Sequence, residues 1–193
     1  SETFLREWTS LVESKSGERG IFNRVSAQKQ AAKNGRRNPD YEFGTNPCSE
    51  IILRPHQFCN LTEVVVKEHD TDDDLDRKVR LATILGTAQS TLTNFPYLRK
   101  VWKNNTQEER LLGVSLTGIM DNIHTNCFLV NMRERLTRMK QIAIDTNKKY
   151  AKRFGIEEST AITCVKPSGT VSQLCDSASG IHARHSRYYI RTV

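Results

Sequence analysis

The sequence predicts an α/β fold. β-branched, apolar runs lie between residues 51 and 66, two long stretches of helical periodicity cover 72–92 and 132–154, and a third apolar run at 161–165 leads into a glycine-containing turn. Strands that alternate with helical patterns argue for strand–helix–strand units, and long helical crossovers favour parallel strands over hairpins.

Each element has its own local signal. Phe4, Leu5, Trp8, Leu11 and Val12 recur at helical spacing within Thr3 to Ser14, and Lys15-Ser16-Gly17 stops the run, so a short helix is expected there. The polar, basic stretch Gln28 to Asp40, which contains Arg36-Arg37, reads as an exposed loop. Ile51-Ile52-Leu53 and, after Pro55, Phe58 to Val66 read as two buried strands or one interrupted strand. Thr71 ahead of Asp72-Asp73-Asp74 places side-chain acceptors and negative charge where a helix exposes unpaired N–H groups. The helix that follows carries Leu75, Val79, Ala82, Leu85, Ala88 and Leu92 on one face and ends before Asn94-Phe95-Pro96. Thr106-Gln107-Glu108-Glu109 is read as a second cap, opening a segment through Leu111-Leu112 to Met120. Met132, Leu136, Met139, Ala143, Thr146 and Tyr150 mark a long amphipathic helix that Gly155 ends. Ala161 to Val165 is expected as a strand, Lys166 to Thr170 as a turn, and Tyr188 to Val193 as a last strand.

Composition narrows the class. A chain of 193 residues can hold one compact domain, yet its 37% hydrophobic content lies below the usual level of about 45–50%. Some core-facing surface is therefore expected to be covered by other residues. Ser1 in place of an initiator methionine adds the expectation of a chain processed or cut from something longer. No run approaches the length of about 18 apolar residues needed to span a membrane, and the start lacks the basic and apolar regions of a signal peptide. A soluble, cytoplasmic protein without a membrane partner is the expectation. Five cysteines, an odd number without secretory features, argue against a disulfide framework, so each thiol is read as buried, metal-binding or redox-active. The net charge of +7 favours phosphate-bearing partners. A nucleic-acid-binding or scaffold module is the rival reading. It predicts clustered charge and exposed aromatics, whereas the basic residues are dispersed and aromatics are 7%.

The sharpest cluster is Asn46-Pro47-Cys48-Ser49-Glu50, with Cys59 eleven positions after Cys48. Pro47 stiffens the approach, and alternation along an extended segment puts Cys48 and Glu50 on one side, so that a thiol, a carboxylate and a carboxamide can converge on one ligand. Spacing alone equally describes two small buried cysteines and a solvated acid, and it favours that plainer reading. A zinc site from Cys48, His56 and Cys59, or from Cys175, His182 and His185, lacks the second tight ligand pair, so no metal is assigned. Lys166-Pro167-Ser168-Gly169-Thr170 follows a strand and can wrap a phosphate with backbone N–H groups and two hydroxyls, although its spacing is not that of a Walker loop and an ordinary turn fits it as well.

Six ordered segments change that balance. Lys15 to Arg24, Asn46 to Ile51, Phe58 to Leu61, Gly113 to Gly118, Lys166 to Thr170 and Ser179 to His182 resemble the central catalytic portion of the adenosylcobalamin-dependent (class II) ribonucleotide reductases, most of all the monomeric ribonucleoside-triphosphate reductases. The resemblance implies part of a ten-stranded α/β barrel, with a finger loop at about 44–52 threading it and a phosphate-binding turn at 166–170. It implies that Cys48 carries the thiyl radical, Glu50 takes a proton from the sugar 3′-hydroxyl, Asn46 holds the sugar hydroxyls, Cys59 is one of two reducing cysteines, and Pro167, Ser168, Gly169 and Thr170 bind the substrate phosphates. It also implies adenosylcobalamin as cofactor, a ribonucleoside di- or triphosphate as substrate and a thioredoxin-like reductant. The family's second reducing cysteine lies upstream of the finger loop, and Cys127, Cys164 and Cys175 match no such motif. Turnover is therefore expected only when the remaining reductase segments complete the barrel.

Overall fold

The computed structural model describes residues 1–15, 20–33, 35–122 and 131–190. Its centre is a parallel pair of strands, β3 (Asn60–Val65) and β4 (Leu112–Thr117), in register from Asn60 opposite Leu112 to Val65 opposite Thr117. The expected strand at 161–165 lies along the other edge of β4 but joins it only loosely. It forms one parallel bridge, Val114 to Thr163, with Leu112 N–H donating to Ala161 and Cys164 N–H to Val114. The prediction of parallel strands thus holds for the central pair. Ile52–Leu53 (β2) instead pairs antiparallel with Gly44–Thr45 (β1) as a separate hairpin. The ten-stranded barrel is not seen in these two small sheets.

Two helices close one face of the central pair. The first, α3 (Asp72–Gln89), starts at Thr71, whose hydroxyl accepts from Asp74 N–H while the Asp74 carboxylate accepts from Thr71 N–H. The other helix, α5 (Met132–Phe154), ends at Gly155 in the left-handed conformation, φ +66°. Val64, Leu112, Val114 and Ile162 from the sheet region meet Leu75, Val79, Ala82, Met139 and Ala143 from the helices in one buried cluster. The apolar stripe of α3 departs from the sequence expectation at its C-terminal end. Leu85 and Leu92 are exposed, and burial continues through Thr83, Gly86 and Thr87 instead. The two threonine hydroxyls donate to backbone carbonyls one turn back, and Asn147 Nδ2 donates to Thr87 Oγ1 at 3.0 Å and to Ser159 Oγ at 3.0 Å. Small polar residues whose hydrogen bonds are satisfied inside the fold let the helices approach closely, which a hydropathy pattern does not register.

Three further expectations change. The stretch 28–40 is not a loop throughout, because α2 (Arg24–Ala32), capped by Asn23, buries Ala27 and Ala31 against Phe43, and Arg37 is itself buried. Thr106 to Glu109 do not open a helix. They form the last turn of α4 (Lys100–Glu109), which Arg110 ends in the left-handed region, and Leu112 onward is strand. No strand forms at 188–190, and the rest of that expected strand, 191–193, lies outside the described residues, as do Cys127 and part of the Lys15 to Arg24 motif. The opening helix, α1 (Glu2–Ser14), is as expected, although it buries none of its residues. Among the described residues no helix is long and apolar enough to cross a membrane.

Candidate functional site

Alternation along β3 and β4 sorts their side chains. Val64, Leu112 and Val114 face the helices, which leaves Leu61, Glu63, Gly113 and Ser115 on the opposite face, with Cys59 just ahead of β3. The β1–β2 hairpin lies on this second face. A Cβ on Gly113 would meet Leu61 Cδ2, Ile51 Cδ1 at 3.1 Å and Cys164 Sγ at 3.1 Å, so the missing side chain is what admits both the hairpin stem and the Cys164 thiol.

The hairpin presents its functional side chains differently from strand alternation. Residues 47–49 turn, with Ser49 at φ +63°, and this breaks the period of two. Cys48 is exposed at the tip, whereas the side chain of Glu50 is only 1% exposed. Asn46 Oδ1 accepts from Ile51 N–H at 3.1 Å and ties the loop together at its base.

Glu50 is the unusual group. Both carboxylate oxygens are buried without a hydrogen-bond partner, and the nearest cation, Lys166 Nζ, is 3.6 Å away. Burying a carboxylate without hydrogen bonds is costly, so such a group marks a position where an incoming donor is expected. Glu50 lines a cavity of about 410 Å³ bounded also by Arg36, Arg37, Thr163 and Cys164. Burial pushes the thiol of Cys59 up to about 12, with Cys164 and Glu50 nearby adding to the shift. Burial and Glu50 likewise push Cys164 up to about 12. The shift disfavours the thiolate, the reactive form, at both positions.

The turn at 166–170 sits beside this cluster. Lys166 N–H donates to Ser115 Oγ at 3.0 Å, which fixes the turn to the middle of β4. Ser168 takes the left-handed conformation, φ +52°, and its buried Oγ has no partner, whereas Pro167, Gly169 and Thr170 are exposed. Gly180, at φ +53°, crosses directly over the turn. A Cβ there would stand 2.8 Å from the Lys166 carbonyl oxygen and 3.0 Å from that of Pro167, which gives the Ser179 to His182 motif a packing reason.

Of the sequence-predicted site residues, the structure gathers Glu50 and Cys59 on one face of the sheet and sets the 166–170 turn next to them, with Cys48 on the hairpin above. Three residues without an assigned role join them: Cys164, Lys166 and Glu63, whose Oε1 is also buried without a partner. Their signal in the sequence is the period of two along each strand, which is readable only once β3 and 161–165 are known to flank β4. Among the described residues no group of three His, Cys, Asp or Glu side chains is placed to hold a metal ion.

No protein-family model matches the chain. The adenosylcobalamin-dependent ribonucleoside-triphosphate reductase of Euglena gracilis is 30% identical over 182 residues, covering 91% of this chain and 24% of its own length. The probable adenosylcobalamin-dependent ribonucleoside-triphosphate reductase of Dictyostelium discoideum is 31% identical over 152 residues, 78% of this chain and 19% of its own. Among solved structures, a B12-dependent (class II) ribonucleotide reductase superposes with a TM-score of 0.58 at 26% identity, over 74% of this chain and 23% of that one. The chain thus spans about a quarter of the length of the relatives it matches. In sequence and in fold it is similar to a part of the adenosylcobalamin-dependent ribonucleotide reductases.

Proposed function

We propose that this chain forms the substrate-facing wall of the catalytic barrel of a ribonucleotide reductase, and that it reduces ribonucleotides to 2′-deoxyribonucleotides once the remaining segments complete the enzyme. The observation that carries this reading is Glu50, a carboxylate held out of water with no hydrogen-bond partner, beside two protonated thiols and below an exposed one. A ribose with two hydroxyls to donate meets that need.

Each residue then has a defined step. The sulfur radical of Cys48 takes the hydrogen atom from C3′ of the ribose, leaving a thiol and a carbon radical. Glu50 accepts the proton of the 3′-hydroxyl as the 2′-hydroxyl leaves as water, a general-base role that needs hydrogen-bond reach. Asn46, already bonded to Ile51, steadies the loop and offers its amide to the sugar hydroxyls. Cys59 and a second cysteine from the remaining segments supply two electrons and two protons, one of which leaves with the 2′-hydroxyl as water, and are left as a disulfide that a thioredoxin-like dithiol reduces. Glu50 then returns its proton to the 3′-oxygen and Cys48 its hydrogen atom to C3′, which regenerates the sulfur radical. Ser168 Oγ and the N–H groups of Gly169 and Thr170 take the phosphates of a ribonucleoside di- or triphosphate, with Pro167 shaping the turn. Adenosylcobalamin supplies the initiating radical when bound. Cys48 suits that role because its sulfur is exposed at the hairpin tip, open to a group approaching from outside.

The proposed barrel also accounts for the open edge. Among the described residues the outer edge of β3 has no neighbouring strand, and parallel sheets need cover on both faces and neighbours at their edges. Placement in the cytoplasm follows from the substrate and the free thiols.

The test is Cys48→Ser in the complete enzyme, assayed for nucleotide reduction and for substrate-dependent radical formation. Both are expected to vanish, because an alcohol O–H is too strong a bond to replace the thiol. Turnover near the wild-type rate removes Cys48 from the mechanism and the reductase reading with it.

A further inference from the structure

Arg37 and Glu109 are more deeply buried than any other ion pair with a stated exposure among the described residues, at 4% and 3% side-chain exposure, and neither belongs to a reductase motif. Arg37 Nε donates to Glu109 Oε1 at 2.7 Å and Nη2 to Oε2 at 2.9 Å, a two-pronged contact that only a guanidinium provides. Its third arm, Nη1, donates to the carbonyl of Ile52 at 2.7 Å. Ile52 is the first residue of β2, two positions after Glu50. Gln57 completes the cluster, donating to Glu109 Oε2 and accepting from Arg54 N–H at 2.9 Å just beyond the hairpin.

Glu109 also works through its backbone. Its carbonyl oxygen accepts from Thr160 N–H at 2.9 Å, at the start of the segment that leads through Cys164 to the 166–170 turn. One acidic residue at the end of α4 therefore holds the stem of the Cys48 hairpin on one side and the root of the phosphate-turn segment on the other. A hairpin of two-residue strands has few ladder hydrogen bonds of its own to fix its height above the sheet.

We infer that Arg37 and Glu109 are positioning residues that set the height of Cys48 and Glu50 over the substrate. This rests on the reductase reading of those two residues. A guanidinium that grips the carboxylate and the Ile52 carbonyl at once transmits the fixed position of α4 to the hairpin. Lysine keeps the charge but has no planar fork with which to hold both.

The experiment uses the complete reductase carrying Arg37→Lys, and, as a variant that removes both charges together, Arg37→Met with Glu109→Leu. Replacing a buried pair by apolar residues of similar volume commonly leaves stability intact. Three readings are taken: kcat and KM, the melting temperature, and backbone hydrogen exchange over 46–53. In both variants kcat is expected to fall by about 10- to 100-fold, with KM for the nucleotide within about twofold and exchange over 46–53 accelerated. Wild-type kcat in a folded variant overturns the inference, and so does a fallen kcat with unchanged exchange, since the loss would not then pass through the hairpin. If the wild-type enzyme shows no reductase activity, the reading of Cys48 fails on its own, and the exchange comparison still decides whether the clamp fixes the loop.

Discussion

The two faces of the β3–β4 sheet are built to different rules. On the helix side, Val64, Leu112 and Val114 meet Leu75, Val79 and Ala143, and the polar groups Thr83, Thr87 and Asn147 are hydrogen-bonded within the fold, with the hydroxyl of Thr62 the exception. On the hairpin side, Glu50, one oxygen of Glu63 and the hydroxyl of Ser168 are buried with no hydrogen-bond partner, beside two thiols whose thiolate form burial disfavours. The first face spends its apolar area on stability. The second holds polar groups whose hydrogen bonds are left for a ligand or for the rest of the barrel, and such groups in a native structure call for an explanation.

The contrast is broken most directly by one truncation on each face. Leu75, 1% exposed in the helix-side cluster, is expected to cost about 2–5 kcal/mol when changed to alanine, and equilibrium urea unfolding measures it. Glu50→Gln removes a charge whose oxygens accept no hydrogen bond in the fold and whose one near cation, Lys166 Nζ, lies 3.6 Å away. Stability is then expected to stay within about 1 kcal/mol of wild type, while kcat of the complete enzyme drops by about 10²- to 10⁴-fold. A Glu50→Gln protein as destabilised as Leu75→Ala would mean that Glu50 is a structural acid and that the two faces do not differ in kind.

What the sequence revealed follows the same division. The start of α3 at Thr71 and Asp74 and the end of α5 at Gly155 were legible, because a cap is a local matter of side chains three or four positions apart. The same locality misled at Thr106 to Glu109. A Thr-x-x-Glu pattern looks alike whether a helix begins there or has already run from Lys100, and only the position of Arg110 and the strand after it decides. Arg37 was unreadable for a different reason. Its carboxylate partner is 72 residues away, so a buried arginine looked like one charge in a basic loop. Cys48, Glu50 and Cys59 enter the proposed site through the family resemblance of their motifs. Cys164 and Glu63 required strand neighbours that periodicity predicts only once the pairing is known.

The smallest expected effect concerns the thiols, and its sign follows from their environment. Burial lifts Cys59 and Cys164 from an ordinary 9.0 to about 12, so the folded chain holds these protons more tightly than the unfolded chain does. Below about pH 9 both states are protonated and the shift changes nothing. Between about 9 and 12 the unfolded state gives up its protons first, and stability falls as pH rises through that window. The same protonation slows alkylation, since the thiolate is the reactive form. At pH 8, iodoacetamide is expected to modify the exposed Cys48 well before Cys59 or Cys164, as read by peptide mass mapping. Labelling of the two buried thiols should gain about tenfold per pH unit as long as the fold persists. Nucleotide bound against Glu50 should slow Cys164 further, because that thiol lines the same cavity. Equal labelling of all three cysteines at pH 8 would show that the hairpin side of the sheet is open to water, and the difference between the two faces would then be one of composition alone.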